Sequence, residues 1–80
     1  MGEYAKYPRM TCYITKNTKP ERGVFVEGPY NEDFLFTLKL HIPDTDRYWD
    51  PDARRWWVSD KYASQVKRDA DSHYDKVIEC

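Results

Sequence analysis

The residues best equipped to bind something lie in one short stretch, Arg47-Tyr48-Trp49-Asp50-Pro51-Asp52-Ala53-Arg54-Arg55-Trp56-Trp57-Val58. It holds all three tryptophans of the 80-residue chain. Pro51 and Asp52 favour a turn, so the stretch reads as two aromatic arms around Pro51-Asp52-Ala53-Arg54. With Trp49 opposite Trp56, the period of two puts Trp49, Trp56 and Val58 on one face and Tyr48, Asp50, Arg55 and Trp57 on the other. The first face reads as core. The second offers flat rings beside a cation, which suits an unpaired base or a duplex backbone. Stacking on such a ring is worth roughly 1–3 kcal/mol per base. The competing reading is a hairpin that is core on both sides, with Trp57 covered, because large aromatics tend to be buried.

Arg47, Arg54, Lys61, Lys67 and Arg68 extend this surface as a phosphate-facing patch running onto the following helix, whose N-terminus favours an anion. Against that stands a merely solvated face. Asp50 sits opposite Arg55, and Asp44, Asp46, Asp52, Asp69 and Asp71 are near enough in sequence to cancel much of the charge. Other chemistry is poorly supported. Cys12, His41, His73 and Cys80 are the only soft metal ligands, and no two lie within a few residues, so no metal site is expected. The three glycines are not clustered into a phosphate loop, and neither G-x-S-x-G nor HExxH occurs. Asp44, Asp46, Asp50 and Asp52 lack the glycine and the twelfth-position glutamate of an EF-hand. The expectation is a protein that is not an enzyme and uses no cofactor.

Size and composition set the frame. Eighty residues make one domain spanning 1–80, and so short a chain needs large side chains to fill its core. Three Trp, seven Tyr and three Phe supply them, each burying roughly 150–250 Å². Charged residues are 34% of the chain yet the net charge is −1, which excludes a strongly basic non-specific nucleic-acid coat but not a local patch. Two cysteines are too few for a disulfide-stabilised secreted mini-protein. No apolar run follows Met1 and no stretch approaches membrane-spanning length. The expected setting is a reducing cytoplasm with both thiols free and no membrane contact.

The hairpin needs elements to hold it. Residues 1–8 read as a loose segment, with Tyr4 and Tyr7 able to pack on the body. Met10 to Thr15 is rich in β-formers, and Val24 to Glu27 is a second strand after the polar loop Lys16–Gly23. Residues 31–42 fit two readings. Phe34, Phe36, Leu38, Leu40 and Ile42 alternate as a strand would. Asn31 as N-cap, Glu32 and Asp33 in a first turn, the stripe Phe34, Leu35, Leu38 and Ile42, and Pro43 as a stop describe a helix. Ser59 or Asp60 caps a later helix that runs to about Tyr74, with Tyr62, Val66, Ala70 and Tyr74 as its apolar stripe. Lys76 to Glu79 suits a last strand at a sheet edge.

Residues 31–79 resemble a small α+β module that accompanies superfamily-two helicases and occurs in HARP-type annealing helicases and in many short phage and bacterial proteins. The shared features are a helix ending in Ile42-Pro43, then Arg47, Trp49-Asp50-Pro51, Arg54, Trp56 and Val58, then a helix carrying Tyr62 and Val66. The resemblance implies that Asn31 to His41 is helical, that the order is strand, strand, helix, hairpin, helix, strand, and that the hairpin and the next helix engage DNA. The spacing from Lys39 to Ile42-Pro43 is longer than the family's lysine-x-Ile-Pro, and the 80 residues contain no ATP-driven motor.

The fold expected is therefore α+β in the order β-β-α-β-β-α-β, an antiparallel sheet of four or five strands with two helices packed on one face. Trp49, Trp56, Val58, Phe34, Leu38, Ile42, Val66, Tyr62, Val24 and Val26 should form its core. The function expected is non-enzymatic binding of DNA or RNA through Tyr48, Arg55 and Trp57, helped by Arg47, Arg54, Lys61, Lys67 and Arg68. The alternative is a protein-interaction module, for instance a phage-type protein docking on a host or phage enzyme, with the same aromatic and arginine side chains as hot-spot anchors.

Overall fold

The structure is a computed structural model that describes residues 11–18 and 22–79. The segment 1–8 expected to be loose, the middle of the first polar loop and Cys80 lie outside the described residues. Five strands form one sheet, with two α-helices on one face: β1 (Thr11–Asn17), β2 (Gly23–Glu27), α1 (Glu32–His41), β3 (Arg47–Asp50), β4 (Arg55–Ser59), α2 (Ala63–His73) and β5 (Lys76–Glu79). Short 3-10 turns at Asp44–Asp46 and Asp60–Tyr62 precede β3 and α2.

The strands lie in the order β3-β4-β2-β1-β5. β1 with β2, β2 with β4, and β3 with β4 are antiparallel, but β1 and β5 are parallel. The sheet is thus mixed, which corrects the antiparallel expectation. The chain returns from α2 to run alongside its own first strand, and a helical crossover is the usual way to join strands that point the same way.

Period-two alternation sorts the side chains. Cys12, Ile14, Val24, Val26 and Val58 point to the helix side and are buried. Phe34, Leu38 and Ile42 from α1 and Val66, Ala70 and Tyr74 from the second helical stretch close over them. Residues 32–41 are helical, and Phe36 and Leu40, which completed the strand-like alternation, are each 68% exposed. Asn31 caps α1: its side-chain oxygen accepts from the Phe34 amide at 2.9 Å, and its side-chain nitrogen donates to the His73 carbonyl at 2.9 Å. One residue therefore satisfies the start of α1 and the end of α2.

Four expectations need correction. Trp49 is 46% exposed, because it lies on the edge strand beyond the helical layer, and Trp56 and Tyr62 are only partly buried. Ser59 and Asp60 make no side-chain cap, since the 3-10 turn intervenes before α2. Asp69, placed off the apolar stripe, is 5% exposed. It is satisfied by His41 Nδ1 at 3.0 Å and by the Gln65 side-chain amide, which donates at 2.9 Å, and so ties the two helices together.

The core also holds two acids that resist ionisation. Burial pushes the Cys12 thiol up to about 11, and burial first and then the Cys12 charge push the Tyr74 hydroxyl up to about 12. Tyr74 remains a donor, to the Pro29 carbonyl at 2.7 Å. Above pH 9 the unfolded thiol loses its proton while the folded one keeps it. Stability is therefore complete below about pH 9 and falls as pH rises toward 11 to 12. Cys12→Ala should flatten the fall between pH 9 and 11, where each pH unit is worth about 1.4 kcal/mol per group. Urea titrations at three pH values test this; equal slopes in the two proteins would contradict it.

Candidate functional site

The hairpin register is Arg47 with Val58, Tyr48 with Trp57, Trp49 with Trp56 and Asp50 with Arg55. Its turn is set by Asp50, whose carboxylate accepts from the Asp52 and Ala53 amides at 3.1 and 3.2 Å. Arg54 then takes φ 57°, in the left-handed region, before β4 begins.

The sheet face away from the helices carries the binding candidates. Tyr48, Trp57, Phe25 and Thr15 are successive cross-strand neighbours in four strands. Tyr48 stacks on Trp57, with centroids 5.3 Å apart and planes at 21°. The Arg55 guanidinium lies 3.6 Å from the Phe25 ring centroid, close enough for a cation–π contact. Arg55 Nε is 3.9 Å from Asp50 Oδ2, an ion-pair distance too long for a hydrogen bond. Tyr48 is 47% exposed and Tyr13, on the same face in β1, is 44% exposed.

Trp57 is 7% exposed, so what it presents is limited to its contact with Tyr48. Neither helix lies on its face; β3 and β2 flank β4 in the sheet. Its seat is Gly23. A Cβ there would meet the Val58 carbonyl oxygen and sit 2.7 Å from Trp57 Nε1. Trp57 Nε1 and Arg55 Nε are buried and have no hydrogen-bond partner among the described residues.

The cations do not gather into one patch. Arg47 turns to the helix side, where its Nε donates to the Ile42 carbonyl at 2.9 Å and finishes α1. Lys61 stands 4.0 Å from Asp46. Lys67 pairs with Asp71 at 3.4 Å and Glu79 at 3.5 Å, and the Asp71 hydrogen bond and charge, followed by Glu79, push its ammonium pKa up. Glu79 belongs to β5, four strand spacings or about 19 Å from β3. Arg54 and Arg68 make no ion pair among the described residues. Tyr48, Arg55 and Trp57 thus share one face, while α2, with Lys67 and Arg68, packs on the other. The hairpin face and the following helix do not make one continuous surface.

Phe25 and Tyr13 belong to the site although the hairpin stretch did not point to them. Each stands between two core residues, Val24 and Val26 or Cys12 and Ile14, and that alternation is the signal that places them outward. As for metals, Cys12 is sealed in the core, His41 is bound to Asp69 and His73 Nδ1 to the Asp69 carbonyl at 2.8 Å. No helix among the described residues is long and apolar enough to cross a membrane. No family model, curated protein or solved structure matches the chain.

Gly23 is the position on which this face is most sensitive. Gly23→Ala should destabilise the protein by about 1–3 kcal/mol, because both clashing groups are in the sheet itself. Denaturant unfolding gives the magnitude, and the Trp57 fluorescence maximum should move in the native state. An unchanged midpoint would show that the indole is not seated there.

Proposed function

We propose that the protein is a non-enzymatic nucleic-acid-associated module that holds unpaired bases on the helix-free face of its sheet. The observation that carries this reading is the half-exposed Tyr48 ring, already stacked on Trp57 and flanked by Arg55. A ring braced from below loses little freedom when a base stacks on its outer side. Arg55, held over Phe25, supplies positive charge beside the stack. Tyr13 extends the platform along β1. The resemblance of residues 31–79 to the helicase accessory module supports the same reading for the hairpin. With α2 on the other face, the platform acts without Lys61, Lys67 and Arg68, and a short single strand suits it better than a duplex.

A protein-interaction module is the second reading, favoured by a different observation. Phe36 and Leu40 stand one helical turn apart on α1 and are both 68% exposed, as an anchor pair for a partner would be.

Binding of a fluorescein-labelled single strand, followed by anisotropy at low salt, separates the two. Tyr48→Ala should weaken binding by about 1–3 kcal/mol, a factor of roughly 5 to 150, and the wild-type affinity should fall steeply with added salt. A Phe36→Ser/Leu40→Ser double variant should bind normally. Absence of binding by wild type at low salt, to single or double strands, would sink the nucleic-acid reading.

A further inference from the structure

The geometry points to a second binding site, on the helix side of the sheet, for a planar ring that carries a phosphate. A cavity of about 700 Å³ opens between the hairpin and α1 with the loop that precedes it, within the size range of small-molecule sites. Trp49 and Trp56 form one wall, with centroids 5.6 Å apart and planes at 59°, so that they make a corner. Tyr30, 79% exposed, stands at the rim, and Phe34 lies at the buried end.

Its charge is one-sided. Lys39 from α1 and Arg54 from the hairpin turn both line the cavity, and no aspartate or glutamate does so among the described residues. Neither cation has an ion-pair partner among those residues, whereas Lys61, Lys67, Arg22 and Arg55 all do. Lys39 Nζ stands 6.0 Å from the Trp56 ring centroid, so charge and stacking surface adjoin. Arg54 is also the one described non-glycine residue with positive φ. A conformation that L residues disfavour is held at a cation whose side chain lines the cavity.

Two positive groups from separate elements match a dianion, and flat indole walls match a conjugated ring. A nucleoside 5′-monophosphate has both. The same chemistry comes from a free nucleotide or from the 5′-phosphorylated end of a strand. This site lies across the sheet from Tyr48 and does not rest on the open-face reading.

The test is a titration of the full chain followed by ¹H–¹⁵N indole resonances. AMP should shift the Trp49 and Trp56 Nε1–H signals saturably and leave Trp57 unmoved. Adenosine should bind at least tenfold more weakly. Lys39→Gln and Arg54→Gly should each weaken AMP binding at least tenfold; the glycine relieves the turn, so loss of folding will not mask the result. Displacement of AMP by a 5′-phosphorylated oligonucleotide, but not by its 5′-hydroxyl form, assigns the site to strand ends. Displacement by neither assigns it to the free nucleotide. No saturable shift with AMP, equal affinity for adenosine, or shifts confined to Trp57 would overturn the proposal. Tyr48→Ala leaves this site intact, so failure here and failure of the open-face reading are distinguishable.

Discussion

The ladder between β2 and β4 is the interaction on which the rest depends. Gly23 faces Ser59, Val24 faces Val58, Phe25 faces Trp57 and Val26 faces Trp56. It is the junction that joins the β1–β2 hairpin to the β3–β4 hairpin. Because side chains alternate, the same register decides both faces of both hairpins. Val24, Val26 and Val58 reach the core together only if Phe25 and Trp57 go the other way. A slip of one residue would send the valines to solvent and two large rings into a core already filled by Leu38, Ile42 and Val66. Gly23 is part of the same constraint, since close approach of β4 at that point leaves no room for a Cβ.

Much of this was legible because alternation and turn chemistry are local. The pairing of Trp49 with Trp56 followed from a turn of known length, and the two faces followed from the pairing. The helical state of residues 32–41 was not legible from period alone. Phe34, Leu38 and Ile42 satisfy both a four-residue and a two-residue repeat, and the exposure of Phe36 and Leu40 tells them apart. β5 was legible as a strand at a sheet edge, but its parallel direction and its pairing with β1 were not, because the choice of neighbour is made by tertiary packing and leaves no mark on four residues. The same holds for Trp49. Its type and parity are those of a core residue, and its exposure comes from standing on an edge strand past the end of the helical layer.

Charge was the least legible quantity. A list of cations in sequence order suggested a surface, but the fold distributes them. Arg47 completes a helix, Lys67 bridges to β5, and Arg55 is held between Asp50 and Phe25. Asp69 shows the converse. A residue that sequence assigns to a wet face is buried because His41, arriving from another helix, can meet it. Lys39 and Arg54, both without an acidic partner among the described residues, come from different elements and share a site only because α1 and the hairpin turn border one cavity.

The parallel pairing of Thr11–Ile14 with Lys76–Glu79 has a consequence for how the sheet is completed. The first and last described strands are partners across more than sixty residues, so their contact closes the largest loop in the molecule. Local hairpins can form early, but this seam waits for β5 and, with the β2–β4 ladder, raises the contact order. Until it closes, β1 is an open edge with unpaired amides and carbonyls, beside a core thiol. β5 thus serves as the latch that turns two hairpins and a pair of helices into a sheet with a guarded border.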